Sequence, residues 1–94
     1  MTNTFVERHF DSPRGDVIAR FEAPYPAPGG EYRCRWHLID PDGTHSSEAA
    51  GIDGVQALTI AMRRVHSELA ESADYKAGGL TYLGESDLGL PPPL

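Results

Sequence analysis

The sequence predicts an α+β domain: an antiparallel sheet of four or five strands with one long helix packed on one face. Three observations carry this. Asp53 to Glu71 sets Val55, Leu58, Met62, Val65 and Leu69 at three-four spacing, the period of an amphipathic helix. Two stretches before it alternate apolar and polar residues with a period of two, as half-buried strands do. No other stretch is long or periodic enough for a second helix, so the rest of the chain must supply the surface that the stripe covers.

The first strand is placed at about 4–10, where Phe5, Val6 and Phe10 mix with Glu7, Arg8 and His9 and leave the inward face open. Asp11 to Asp16 reads as a turn built on Pro13 and Gly15; its Arg14-Gly15-Asp16 tripeptide is read as part of that turn rather than as an adhesion signal. A second strand at about 16–23 puts Val17, Ala19, Phe21 and Ala23 on one face and Ile18, Arg20 and Glu22 on the other. Pro24 to Gly30 holds three prolines without amide donors, so it is expected to leave the ladder as an exposed loop.

The third strand, at about 31–40, alternates most cleanly. Tyr32, Cys34, Trp36 and Leu38 form the expected floor for the helix, and Arg33, Arg35, His37 and Ile39 point away. Asp40-Pro41-Asp42-Gly43-Thr44 fits a three-residue hairpin loop with Gly43 as a bulge. That turn pairs Asp40 with Thr44, and hence Leu38 with Ser46, Trp36 with Glu48 and Cys34 with Ala50 in the strand at 44–50. A carboxylate facing Trp36 is a conflict, resolved by placing this strand at a sheet edge where an inward charge discourages edge-to-edge pairing.

Asp53 with Gln56 three residues later is a capping-box start for the helix at about 53–72. Its stripe is expected to centre on Val55, Leu58, Met62, Val65 and Leu69, flanked by Gly54 and Ala61. Arg64 and Glu68 are spaced for an ion pair, and Ile60 falls on the polar side, where a second layer or a partner could cover it. Gly78-Gly79 break the chain, a short strand follows at 80–83, and the proline-rich tail at 88–94 is expected to lie against the domain.

Composition bounds the function. Ninety-four residues make a single domain, 1–94, and the lone Cys34 excludes an internal disulfide, which fits a reducing cytoplasmic setting. No basic-then-apolar start marks a signal peptide, and no apolar run is long enough to span a membrane. Residues 1–40 hold five Arg against six acids, net −1, and residues 41–94 three basic against eight acids, net −5, giving −6 in all. That charge argues against nucleic acid as a partner, because such binding neutralises phosphates.

No chemistry assembles from the motifs. His9, His37, His45 and His66 have no helical pair spacing, and Cys34 and His37, three apart on a strand, face opposite ways. His37 and His45 are expected near each other across the hairpin, but two ligands make a poor metal site. Cys34 is expected to be a buried, unreactive thiol beside Trp36. Ser46 and Ser47 lack a glycine elbow and an orienting third residue, and Gly51 to Gly54 lacks the lysine and third glycine of a phosphate loop. The outward strand faces carry the most suggestive cluster, Arg20 and Glu22 beside Arg33, Arg35 and His37. Guanidinium groups recognise carboxylates, although cross-strand pairing with Glu would equally account for them.

The helix start Gly51-Ile52-Asp53-Gly54-Val55-Gln56-Ala57-Leu58, with Leu80-Thr81-Tyr82-Leu83-Gly84 and Asp87-Leu88-Gly89-Leu90-Pro91, resembles a family of small single-domain bacterial proteins of unknown function. In those, a strand-rich half precedes a helix opening Gly-Val-Asp-x-x-Gln-Ala-Leu, and the tail reads aromatic-Leu, then Asp-Leu-Gly-Phe-Pro. The likeness covers roughly the last 45 residues well; Tyr82 and Leu90 stand where Trp and Phe are expected. The family brings no activity, so it implies no catalytic residue and no cofactor. The functional expectation is a non-enzymatic protein-interaction module whose partner is another protein or a second copy of itself, with Arg20, Arg33, Arg35, His37 and Ile60 as contact candidates. The alternative is a ligand-binding protein or enzyme with a pocket between helix and sheet near Glu48 and His45.

Overall fold

In the computed structural model, which describes residues 3–94, five antiparallel strands and one long helix form an α+β domain. Met1 and Thr2, included in the expected single domain, lie outside the described residues. The strands are β1 (Thr4–Phe10), β2 (Val17–Glu22), β3 (Tyr25–Pro26), β4 (Tyr32–Asp40) and β5 (Gly43–Gly51), followed by α1 (Gly54–Glu71) and a single turn, α2 (Ala73–Lys76). β4 is the centre. It pairs on one side with β2 and, further along, with β3, and on the other side with β5, while β1 extends the sheet beyond β2.

The β4 phase is the expected one. Cys34, Trp36 and Leu38 are buried beneath α1, and Arg33 and Arg35 point outward. The β4–β5 register is not the expected one. Asp40 pairs with Gly43, Leu38 with His45, Trp36 with Ser47, Arg35 with Glu48 and Cys34 with Ala49. Only Pro41 and Asp42 lie between the paired residues, with Gly43 at φ 137° opening the return strand. A one-residue slip exchanges the two faces of a strand. Glu48 therefore leaves Trp36 for the outer face, and the anticipated conflict disappears.

Three other expectations are corrected. Tyr25 and Pro26 rejoin the ladder opposite Arg33 and Tyr32, because the donors needed there come from non-proline residues: the Ala27 amide donates to Glu31 O at 2.8 Å. The strand at 80–83 shrinks to one bridge between Thr81 and Asp11. A tight turn at Leu83 (φ 52°) and Gly84 (φ 82°) then returns Glu85 to Tyr82. Finally, the buried stripe of α1 is Ala57, Ala61, Val65 and Leu69, and Val55 is 76% exposed. At 100° per residue the stripe is rotated by roughly 60° from the expected one.

The physical reason for that rotation is size. The sheet supplies the bulk, with Phe10, Phe21, Trp36 and Leu38 in the core, so the helix approaches through its alanines. Its larger residues, Leu58, Ile60 and Met62, pack at the margins. The start is capped as expected, with a variation: the Gln56 amide donates to Asp53 Oδ1 at 2.8 Å, but Gln56 Oε1 accepts from the Ile52 amide at 2.7 Å rather than from that of Asp53. Ser72 stops α1 and caps α2.

The tail straps the helix to the sheet. Leu80 and Leu88 are each 1% exposed. Arg8 lies 4.2 Å from the Tyr82 ring centroid and donates to Leu88 O and Gly89 O. Beyond it, His66 donates to Pro91 O at 2.7 Å, Arg63 to Pro92 O at 3.1 Å and Ser67 to Leu94 O at 3.1 Å. The tail thus crosses the outer side of α1 from the β1 flank towards the β5 flank.

Two substitutions test this packing. At Gly51 an added Cβ would stand 2.5 Å from the Ala57 amide nitrogen. Gly51→Ala should therefore lower stability by about 1–3 kcal/mol in urea unfolding, the usual cost of overpacking. Leu83, 81% exposed at positive φ, gives up no packing when replaced. Leu83→Asn should raise stability by about 0.5–1 kcal/mol, since a left-handed backbone disfavours Leu more than Asn.

Candidate functional site

The face of the sheet away from α1 is covered by no other element among the described residues, and it gathers four of the five sequence-predicted contact candidates. Alternation on β2 and β4 puts Arg20, Arg33, Arg35 and His37 on this side; the observed register adds Ser46 and Glu48 from β5, and β1 adds Glu7 and His9. Ile60 is not among them. It sits on α1, half-buried against the core, because the rotation of the helix carries it inward.

Each basic group on the face has an acidic partner. Arg20 Nε donates to Glu7 at 3.0 Å, and Glu7 also accepts from His9. Glu48 is the hub: it accepts from Arg33 at 3.1 Å, from Arg35 at 3.2 Å and from the Tyr25 hydroxyl. The Arg35 guanidinium also lies 5.5 Å from the Tyr25 ring centroid. The Tyr25 hydroxyl, followed by the two guanidinium donors, holds the Glu48 carboxyl below the usual carboxylate range. Acceptance by Glu48 raises Tyr25 above the usual phenol range in turn.

A second chain runs through His37. Its Nε2 donates to Glu22 at 2.7 Å and its Nδ1 lies 2.6 Å from Ser46 Oγ. Serine, histidine and carboxylate in line invite comparison with a hydrolytic triad. Ser46 and Glu22 reach His37 from the two strands that flank β4. The trio is a cross-strand brace. Sequence reasoning placed Glu22 beside His37 but missed Ser46, because the one-residue shift put Ser47 opposite His37.

On the helix side, an open groove of about 420 Å³ lies between β5 and α1, lined by Trp36, His45, Ser47, Arg64, Ser67, Glu68, Glu71 and Leu94. His45 stands edge-on to Trp36, with ring centroids 5.3 Å apart, and its Nδ1 lies 3.8 Å from Glu68. Glu48 is on the other side of the sheet, so the pocket expected to join Glu48 and His45 does not form. For the same reason His37 and His45, expected to approach each other, lie on opposite faces. The expected Arg64–Glu68 pair is also absent: Glu68 turns to His45, and Arg64 makes no ion pair among the described residues.

The remaining candidates have structural roles. Arg14 ties the first turn to Asp42 and Asp74, each at 2.9 Å, which raises its pKa and engages the Arg-Gly-Asp turn internally. Cys34 is fully buried and donates to Glu22 O at 3.4 Å; burial pushes its thiol up to about 11. No group of three or more His, Cys, Asp or Glu among the described residues is placed to hold a metal ion. No described helix is long and apolar enough to cross a membrane.

A small α+β domain with one face of its sheet beneath a helix and the other laced by cross-strand ion pairs is the class that the fold and site define. Within that class the chain belongs to the family described as Domain of unknown function (DUF6968), whose sequence profile matches residues 6–92. No curated protein and no solved structure matches the chain.

Glu48 makes the face pH-sensitive. A carboxylate whose folded pKa is depressed contributes stability that is present above its unfolded value and lost as pH falls through the folded one. Glu48→Gln should therefore destabilise the domain at neutral pH and progressively less as pH drops below the ordinary carboxylate range. It should also return the Tyr25 titration towards the usual phenol value. Urea unfolding across pH and ultraviolet titration read the two effects.

Proposed function

We propose that this domain is a non-enzymatic protein-interaction module of the bacterial cytoplasm, which meets an acidic surface of a partner, another protein or a second copy, through its uncovered sheet face. One observation carries the reading: Arg33 and Arg35 converge on one carboxylate, Glu48, with Glu31 a further 3.9 Å from Arg33, and they remain 45% and 58% exposed. Each guanidinium has five N–H donors and one Glu48 contact, so donors remain for an incoming carboxylate. Tyr25 beneath Arg35 adds a rigid aromatic surface of the kind enriched in interfaces. The face is pre-ordered by its own ion pairs, so little side-chain entropy is lost on docking.

The experiment is affinity capture from the native cell with the wild-type chain and with the Arg33→Glu/Arg35→Glu double variant, both confirmed as folded by circular dichroism. A partner docking through this face should be recovered at least about tenfold less by the double variant, because like charges across an interface oppose association. Equal recovery by both proteins removes the Arg face from the interaction.

A further inference from the structure

The two edges of the sheet differ. β1 has the features that prevent edge-to-edge pairing: a bulge between Thr4 and Val6, and the charged run Glu7-Arg8-His9. β5 has none. Its nine residues, Gly43-Thr44-His45-Ser46-Ser47-Glu48-Ala49-Ala50-Gly51, pair with β4 in an unbroken register, carry no proline and no lysine, and pair with no other described strand. The one charge, Glu48, is held on the outer face by Tyr25, Arg33 and Arg35. The inward charge anticipated from the sequence would have guarded this edge, and the observed register removes it.

We propose that two copies of this chain join through β5, antiparallel about a two-fold axis, so that their sheets become one and their α1 helices lie side by side. This rests on the reading of the domain as an interaction module and names the partner as a second copy.

Three features make β5 complementary to itself. The first is helix position. α1 packs over both β4 and β5. With strands about 4.8 Å apart, its axis stands about one strand spacing from the two-fold axis, so the two helices run about 10 Å apart, close to ordinary helix packing distance. The second is charge. Along β5, Gly51 abuts Ala57 at one end and His45 reaches Glu68 at the other, so Ser46 and Ser47 lie level with the helix turn around Val65 and His66. A two-fold axis there brings the unpaired Arg64 of each copy towards Glu68 of the other, a contact made twice, as an isologous interface requires. The third is the groove beside β5. Its rim of Arg64, Glu68, Glu71 and the exposed Leu94 borders the axis, so pairing closes it over Trp36 and His45.

Sedimentation equilibrium from micromolar to millimolar concentration tests this, with hydrogen exchange read on the β5 amides. The wild-type chain should approach twice its 10.2 kDa mass as concentration rises, with β5 protection increasing in parallel. Arg64→Glu and Glu68→Arg should each raise the dissociation constant about tenfold or more, and the double swap should restore it, because only the swap re-creates opposite charges across the axis. Both residues are exposed, so these variants should keep the wild-type circular dichroism.

A chain that stays at single mass throughout overturns the proposal. So does a dimer insensitive to either reversal, or one that the double swap leaves weakened. A monomer whose β5 amides gain protection only with a captured partner gives the edge to a foreign strand: that outcome overturns self-pairing and leaves the interaction-module reading standing. Loss of capture by the Arg33/Arg35 variant, tested separately, bears on the outer face and not on β5.

Discussion

The register between β4 and β5 is the constraint on which the rest of the structure depends. Because side chains alternate with a period of two, the number of residues between the paired strands decides which half of β5 faces the helix. With Pro41 and Asp42 alone between them, Ser47 and Ala49 lie under α1 and Glu48 joins Arg33, Arg35 and Tyr25. One more residue in the loop would put a carboxylate against Trp36, where burying it unpaired costs several kcal/mol. Fold and outer face thus rest on one turn.

Packing then follows from a division of labour between the layers. The sheet contributes the aromatic volume and the helix its alanines, which allow Gly51 and the first turn of α1 to come within contact distance. Close packing leaves little slack in such an arrangement. The tail completes it from outside: Leu88 fills the core margin, and the carbonyls of Leu88, Gly89, Pro91, Pro92 and Leu94 are held by Arg8, His66, Arg63 and Ser67. Prolines suit this segment, since residues without an amide donor make no demand for a strand partner.

The outer face and the β5 edge are two surfaces with different physics. The face is rich in charge and internally paired, so its contacts would exchange with water and weaken with salt. The edge offers the backbone groups of a strand in unbroken register, whose one carboxylate lies on the outer face, with the helix flank above it. Glu48 links them: the register that takes the only carboxylate of β5 off the edge's inner side also delivers it to Arg33 and Arg35 on the face.

The sequence by itself determined the element order, the phase of β4 and the start of α1, because these depend on local periodicity and capping chemistry near each residue. It also placed Arg20, Arg33, Arg35 and His37 together, since alternation on adjacent strands suffices for that. The tertiary structure alone decided the hairpin register, and with it the partners of Glu48, Ser46 and His45. Both candidate turns suit Asp40-Pro41-Asp42-Gly43, so local chemistry could not choose between them. The helix rotation that buries Ile60's flank and exposes Val55 was likewise settled only by fit against Trp36 and Phe21. An amphipathic period tells which residues share a side, but the volume of the opposing layer sets where the closest contact falls.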